Sequence, residues 1–204
     1  MPSPGFRDAF RKMFRAVVEV FNRSGLKYYV LGGVAANALA RPRTTEDIDI
    51  AAFADTSQVR ELLHAVRAAG FEFDDEEVRT QLEVRGFFRA YFPLGVEGGR
   101  LWTDVVVAAT PFEQRVWERR WIGRTEGLEV CVVSPEDFLL LKLLARRPKD
   151  LQDIRNLMSR RGDQLDMTYL RTAARDLATL ARRADLLLHL ETVLRGELPP
   201  AEPE

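Results

Sequence analysis

The segment DIDIAAF, residues 47–53, alternates polar and apolar side chains over its first four positions. A period of two is typical of a β-strand that buries one face. Residues two apart in a strand point the same way, so Asp47 and Asp49 share one face and Ile48 and Ile50 share the other. The segment therefore predicts a strand with a buried apolar face and two carboxylates side by side.

This acidic pair needs a compensating environment, because two unpaired carboxylates at this spacing repel each other. Open solvent is sufficient, and an isolated D-x-D pattern at a strand end is common. A basic partner or a cation is the alternative, and hard oxygen ligands suit Mg²⁺. Arg43, Thr44 and Thr45 precede the pair and add a charge and two hydroxyls, although Arg43 is equally compatible with a plain surface arginine.

A phosphate-binding turn is predicted shortly before this strand. The apolar run KYYVL at 27–31 reads as a strand that ends in Gly32-Gly33, and residues 34–40 read as a short helix. Glycine lets backbone N–H groups approach a phosphate closely, and the start of a helix adds a positive dipole end. The two strands and the helix between them are expected to bring the glycine turn and the carboxylates to one edge.

Asp104 is a third candidate, since it interrupts the otherwise apolar run LWTDVVVAA. Burying a lone aspartate without a partner is costly, so we expect either a paired arginine or a cation. If its strand lies beside 47–53, the three carboxylates Asp47, Asp49 and Asp104 converge. Such a set can hold two metal ions, which stabilise the attacking and the leaving oxygen in phosphoryl or nucleotidyl transfer.

The rest of the pattern predicts an α/β (α+β) fold, with a mixed β-sheet flanked by helices in residues 1–133 and a helical bundle in 134–197. Residues 198–204 are expected to be a disordered tail. Strands are expected at 27–31, 47–53, 71–74, 79–84, 86–92, 100–108, 120–124 and 128–133, with Gly95, Gly98 and Gly99 marking the turn before 100–108. Helices are expected at 4–23, 34–40, 55–69, 111–120, 134–147, 148–161, 167–182 and 184–195.

Composition limits the classes of site and partner. With 30 basic and 31 acidic residues the formal net charge is -1, so only a local patch can argue for a nucleic-acid partner. One cysteine and two histidines exclude a disulfide framework and a Cys/His metal cluster. No apolar run approaches the ~20 residues of a membrane span, and no signal-peptide pattern is present. We therefore expect a cytoplasmic location and no membrane partner.

Lys142 is the most unusual residue of the helical region, because it stands among leucines in SPEDFLLLKLLARR. A lysine in such a helix either extends to solvent or meets an anion. Asp150 and Asp153 follow three residues apart, so they share one face of the next predicted helix. That face is either solvated and paired with Lys149 and Arg155, or directed at a ligand.

Taken together, these motifs resemble the nucleotidyltransferase superfamily that includes DNA polymerase beta. Within it, the chain is most similar to the abortive-infection (AbiE-type) toxin group, which SPEDFLLLKLLARRPKDLQDI resembles through its lysine-bearing helix and an R-x-K-D-x-x-D-like segment. The resemblance covers about residues 25–160. One departure is visible, since the superfamily commonly has Gly-Ser where this chain has Gly32-Gly33.

The resemblance implies a nucleotidyltransferase-type sheet and a Mg²⁺-dependent transfer of a nucleoside monophosphate from an NTP to an acceptor hydroxyl, with two ions possible. It implies that metal binding and catalysis fall to Asp47, Asp49 and Asp104. The nucleotide-binding residues that it implies are Gly32, Gly33, Arg43, Thr45, Lys142, Lys149, Asp150 and Asp153.

The sequence leaves open which molecule carries the acceptor hydroxyl. The resemblance implies a type IV toxin that modifies tRNA and has a cognate antitoxin. The arginines within 115–124 and 171–183 form either an RNA-binding patch or solvated helix faces. The alternatives are an antibiotic or other small-molecule nucleotidyltransferase, and a catalytically silent NTP-binding module.

Overall fold

The computed structural model of the chain describes residues 4–94 and 99–202. The chain divides into two compact units, Met1–Val34 with Arg43–Val132, and Ala35–Pro42 with Val133–Glu204. The division after Val132 lies next to the predicted one, which followed residue 133. Residues 35–42 group with the second unit, whereas the sequence assigned them to the first domain.

The first unit is built on a six-stranded mixed sheet. Its strands are β1 (Lys27–Leu31), β2 (Asp47–Phe53), β3 (Phe87–Pro93), β4 (Arg100–Val107), β5 (Trp121–Thr125) and β6 (Leu128–Val132). Their order across the sheet is β3-β4-β2-β1-β6-β5. β2 runs parallel to β4, and β1 runs parallel to β6, while the other neighbours are antiparallel. The predicted mixed sheet is confirmed.

Helices cover this sheet and supply much of its core. They are α1 (Pro4–Ser24), α3 (Thr56–Ala68), α4 (Asp75–Arg85) and α5 (Pro111–Glu118), and a fifth helix, α2 (Gly32–Leu39), begins in this unit. α1 packs against β4, β6 and α3. Its apolar residues recur at three- and four-residue steps, so Met13, Val17 and Phe21 all point inward and are fully buried.

The prediction of a strand at 79–84 is wrong, because these residues belong to α4. The Asp74 side chain accepts hydrogen bonds from the first-turn N–H groups of Glu76 and Glu77, and Gly86 ends the helix with a φ of 66°. An acidic cap and a left-handed glycine are strong helix signals that outweigh strand propensity. In the predicted strand 71–74, the structure has only an isolated bridge between Glu72 and Tyr91. Of the predicted turn glycines, Gly95 and Gly98 lie outside the described residues.

The second unit is the helical region that the sequence predicted. Its helices are α6 (Pro135–Ala145), α7 (Pro148–Arg161), α8 (Met167–Leu180) and α9 (Leu186–Leu194), with a short 3-10 turn at Gly162–Gln164. α6 is central, because it packs against α7, α8 and α9, and eight of its 11 residues are buried. Its apolar composition all round follows from that position. Across the residues that the structure describes, no helix is long and apolar enough to cross a membrane.

The segment 198–202 has defined partners instead of the disorder that its composition predicted. Glu202 donates its backbone N–H to the carbonyl oxygen of Arg146 at 2.9 Å. Its carboxylate pairs with the guanidinium of Arg146 and lies 2.8 Å from that of Arg183. Arg146 is only 4% exposed, so its charge requires a partner, and Glu202 supplies one. Residues 203–204 lie outside the described part of the chain.

Replacing Glu202 by glutamine is expected to lower the free energy of unfolding of the helical unit by about 1 kcal/mol, the size of a half-exposed charged hydrogen bond. Glu197→Gln is the matched control, because Glu197 is an exposed residue immediately before this segment. Urea unfolding followed by far-UV circular dichroism measures the free energy of unfolding of both variants. An equal effect of the two substitutions would contradict the attachment of this segment to Arg146.

Candidate active site

Strand register brings the three predicted aspartates to one face of the sheet. In the parallel pair of β2 and β4, Asp49 lies opposite Asp104 and Asp47 lies opposite Trp102. Register partners on adjacent strands point to the same side, so all three carboxylates share a face. On the other face, Ile48 is fully buried. The row of acids therefore follows from a single strand pairing.

The glycine turn lies directly against one of these acids. α2 begins at Gly32, whose φ is 62°, and Leu31 is the register partner of Asp49. A Cβ atom at Gly32 would lie 1.6 Å from Oδ2 of Asp49, which no side chain can accommodate. Glycine is therefore required here both by its backbone angle and by the approach of the carboxylate. The amino end of α2 and the acidic pair form one local site.

The departure from Gly-Ser has a physical explanation in Thr45. A Cβ atom at Gly33 would lie 2.3 Å from Oγ1 and 2.8 Å from Cβ of Thr45. The Thr45 hydroxyl occupies this space and donates a 2.5 Å hydrogen bond to Oδ1 of Asp47. A serine at position 33 therefore does not fit while Thr45 is present. The hydroxyl beside the turn comes from the loop before β2 instead.

We expect Gly33→Ser to lower both stability and nucleotidyl transfer, because overpacking of this kind costs about 1–3 kcal/mol. Adding Thr45→Gly should recover most of the stability, since it empties the space that the serine needs. Gly5→Ser is the control, because a Cβ atom at Gly5 meets nothing within 4 Å. Thermal unfolding of the two single variants and the double variant measures the coupling. Additive losses would show that the two positions do not compete for the same space.

Arg89, which the sequence analysis did not identify, pairs with the third aspartate. It lies on β3 as the register partner of Asp104, and its Nε and Nη2 atoms donate to the two carboxylate oxygens at 2.7 and 2.8 Å. The hydrogen bonds to Asp104 raise the pKa of Arg89, so the guanidinium stays charged. The sequence feature that could have identified Arg89 is a lone arginine in the aromatic run FFRAYFP. It is the basic counterpart of the lone aspartate in LWTDVVVAA.

The donor set fits a hard divalent cation at two of the three acids. Asp47 and Asp49 share a face and a strand, and Mg²⁺ usually takes one or two carboxylates alongside substrate phosphates. Asp104 is held by Arg89. Within residues 4–94 and 99–202, no three His, Cys, Asp or Glu side chains are grouped closely enough to hold an ion together. Asp47 and Asp49 are therefore the acids that would hold a Mg²⁺ ion together with substrate phosphates.

Arg43 lies at the start of the loop that carries Thr45. It is half-buried, and its Nη1 donates a long hydrogen bond of 3.4 Å to the carbonyl oxygen of Thr44. Its proposed role in nucleotide binding stays a prediction.

In the second unit, Lys142 meets the two aspartates that the sequence singled out. Its Nζ lies 2.7 Å from Oδ1 of Asp150 and 2.9 Å from Oδ2 of Asp153. The three side chains are 8%, 0% and 2% exposed, so they form a buried ionic cluster. Lys149, by contrast, is exposed. The cluster supports the interpretation that Lys142 meets an anion, and a nucleotide-binding role for these four residues stays a prediction.

Arg147 completes this cluster, and it too was absent from the predicted site. Its Nε lies 2.7 Å from Oδ2 of Asp150 at the first turn of α7. Burial alone would raise the pKa of Asp150, but the hydrogen bonds from Arg147 and Lys142 outweigh it and lower that pKa. Asp150 is therefore a charged carboxylate with two cationic partners.

Comparisons with known proteins agree with this fold. The model of the family described as "Nucleotidyl transferase AbiEii toxin, Type IV TA system" matches residues 11–203. The structure of JHP933 from Helicobacter pylori is similar with a TM-score of 0.56 at 16% identity, over 98% of this chain and 87% of that chain. The lincosamide antibiotic adenylyltransferase LnuA, bound to lincomycin, gives 0.50 at 18% identity, over 73% and 96%. No curated protein sequence matches significantly.

Proposed function

Because this chain belongs to the AbiEii family of nucleotidyltransferase toxins, it is a nucleotidyltransferase, and we propose that it moves a nucleoside monophosphate from an NTP to an acceptor hydroxyl with Mg²⁺. The family match over residues 11–203 confirms the resemblance and the enzyme class that the sequence predicted. The structural likenesses confirm the nucleotidyltransferase-type fold. Metal dependence, the acceptor and the individual residue roles are our proposals.

The contact between Asp49 and Gly32 carries the proposal for Mg²⁺. A nucleotide phosphate on the first N–H groups of α2 would lie beside the Asp49 carboxylate, since a Cβ atom at Gly32 would touch Oδ2. Two anions this close repel unless a cation lies between them. Oxygen ligands from carboxylate and phosphate together match the preference of Mg²⁺. The local charge balance thus supports a metal ion that arrives with the nucleotide.

The reaction then divides among residues of the first unit. The N–H groups of Gly32 and Gly33 would hold the triphosphate, and Asp47 and Asp49 would hold Mg²⁺. When bound, Mg²⁺ offsets the negative charge that develops on the phosphates. The acceptor oxygen bonds to the α-phosphorus, the bond from that phosphorus to the bridging oxygen breaks, and pyrophosphate leaves. A carboxylate oxygen of Asp104 takes the proton of the acceptor hydroxyl.

We propose tRNA as the acceptor and a cognate antitoxin as a protein partner, because the matching family is described as a type IV toxin. We place the reaction in the cytoplasm, where NTPs and tRNA occur together. The arginine-rich segments lend little support, because Arg171 pairs with Glu191 at 2.7 Å and Arg183 with Asp185 at 3.1 Å. The acceptor therefore rests on the family alone.

A small hydroxylated molecule is the second candidate acceptor. The observation in its favour is the likeness to LnuA, a lincosamide antibiotic adenylyltransferase bound to lincomycin. That likeness covers 73% of this chain at 18% identity and concerns the fold, whereas the family model covers residues 11–203. We therefore propose RNA as the first candidate acceptor and a small molecule as the second.

The test is to incubate the purified protein with Mg²⁺, total tRNA and each labelled NTP in turn. We expect label on tRNA with one or more of the NTPs and none when the metal is chelated. A parallel reaction replaces tRNA with a panel of hydroxylated antibiotics. Label on a drug alone would favour the second candidate, and nucleotide binding with no labelled product at all would identify a silent binding module.

A further inference from the structure

Arg89, Asp104 and Asp49 stand in one row across three neighbouring strands. Arg89 on β3 is opposite Asp104 on β4, and Asp104 is opposite Asp49 on β2. Register partners point to the same side of the sheet, so the guanidinium belongs to the same face as the acids. A permanent positive charge is thus part of the site that would bind a divalent cation.

The arginine is fixed in place by more than its ion pair. Its backbone N–H donates to Oε1 of Gln81 on α4 at 3.0 Å, and its Cζ lies 5.2 Å from the centre of the Trp102 ring. The two hydrogen bonds to Asp104 are parallel and short, the geometry in which arginine binds carboxylates most strongly. The Asp104 side chain is 18% exposed, so solvent screens the pair only in part.

From this geometry we propose that Arg89 is a positioning residue of the transfer site that competes with the metal for Asp104. Its guanidinium acts as an internal cation that holds the carboxylate while no metal is bound, and it releases Asp104 when a divalent ion binds beside Asp47 and Asp49. The proposal rests on the proposed function, because it assumes that these two acids bind the metal.

Charge is the physical reason for competition. A dication and a guanidinium at neighbouring positions repel each other, while both are attracted to the same carboxylate. Arg89 engages both oxygens of Asp104, and correspondingly the acids of the described residues do not form a three-ligand group. Release of Asp104 would add the third ligand and free an oxygen that can accept the acceptor's proton. The complete site would then form only with metal bound.

The test uses Mn²⁺ alone as the probe, with its affinity for the full-length protein measured by electron paramagnetic resonance. Arg89→Gln is expected to bind Mn²⁺ about tenfold more tightly than the wild type, the effect of removing one competing charge from a partly screened site. Arg67→Gln is the matched control, because Arg67 pairs with the exposed Asp75 at 2.7 Å in the same unit. It removes the same net charge without touching Asp104.

Two further variants connect the effect to Asp104. The double variant Arg89→Gln/Asp104→Asn should lose the gain in affinity, and Arg89→Lys, which keeps the charge in a weaker pair, should fall between wild type and Arg89→Gln. If Arg89→Gln does not fold, Arg89→Lys replaces it as the test variant. A gain that persists without Asp104, or an Arg89→Gln affinity equal to or below that of the control, overturns the proposal.

The same titrations separate the two levels of inference. A wild type that binds Mn²⁺ through Asp49, with no change on substitution of Arg89, overturns only the role of Arg89. A wild type that neither binds Mn²⁺ nor transfers a nucleotide overturns the proposed function and the role of Arg89 together.

Discussion

Replacing Asp49 by asparagine is expected to reduce nucleotidyl transfer about a thousandfold and to leave the fold intact. The amide keeps the shape of the side chain beside Gly32 but lacks the charge needed to hold a divalent cation. A metal ion contributes several kcal/mol to charge stabilisation, and a loss of ~4 kcal/mol corresponds to about 10³ in rate. The main effect should fall on kcat, because the metal acts on charge that develops in the transition state.

Asp75→Asn is the matched control for this substitution. It makes the same change in the same unit at a side chain that is 78% exposed, far along the chain from the glycine turn. Initial rates at saturating Mg²⁺ and NTP, together with thermal unfolding, measure both variants. If Asp49→Asn retains a rate within tenfold of wild type while folded, Asp49 does not hold the metal and the proposed mechanism is wrong.

The shared face of Asp47 and Asp49, and the need of Asp104 for a partner, could be predicted because both follow from local rules. A period of two in DIDIAAF assigns Asp47 and Asp49 to one face, and an aspartate inside a β-branched run signals a partner. The sequence allowed two kinds of partner for Asp104, an arginine or a shared cation. Choosing between them requires the neighbour of β4 on its other side, which is β3. Strand order is a long-range property that no local pattern contains.

The two errors in the prediction have different origins. Residues 79–84 contain β-branched residues at strand-like positions, but Asp74 and Gly86 cap a helix around them. That helix in turn provides Gln81, whose side chain accepts the backbone N–H of Arg89. Glu202 was assigned to a disordered tail because its segment is rich in proline and acid, yet the buried Arg146 recruits it. The contact missed at Glu202 therefore involves a polar partner from a distant part of the chain, whereas the helix at 79–84 is signalled by residues at its own ends.

Lys142→Met is expected to lower the free energy of unfolding of the helical unit by about 3–5 kcal/mol, the usual cost of leaving buried charges without their partner. Asp150 and Asp153 are almost fully buried, so water cannot replace the ammonium group. Methionine keeps most of the volume of lysine, so packing losses stay small. All three tryptophans lie in the first unit, at 102, 117 and 121, and their fluorescence therefore reports that unit alone. Far-UV circular dichroism should therefore show a larger loss of unfolding free energy for Lys142→Met than tryptophan fluorescence does.

The acid side of the stability profile gives an independent measurement of the same cluster. The folded pKa of Asp150 is below its ordinary value, so its pairing stabilises the fold above the unfolded pKa of about 3.9 and is lost as pH falls through the folded pKa. In the wild type, the contribution of this pairing to the free energy of unfolding should be constant from pH 7 to about pH 5 and decline below about pH 4. A variant with Lys142→Met, Asp150→Asn and Asp153→Asn keeps only the more exposed Arg147 of this cluster and should show a smaller decline.

This neutral triple variant also tests whether Lys142 serves only the buried cluster or contacts the nucleotide as well. Removing all three charges together avoids a buried unpaired ion, so stability should return towards that of the wild type. If Lys142 serves only the cluster, the neutral variant should also retain its KM for NTP. A stable neutral variant with a much higher KM would show that these residues contact the nucleotide, as the family resemblance implied. A loss well below 3 kcal/mol in Lys142→Met would instead contradict the assignment of Lys142 as the counter-ion of the two aspartates.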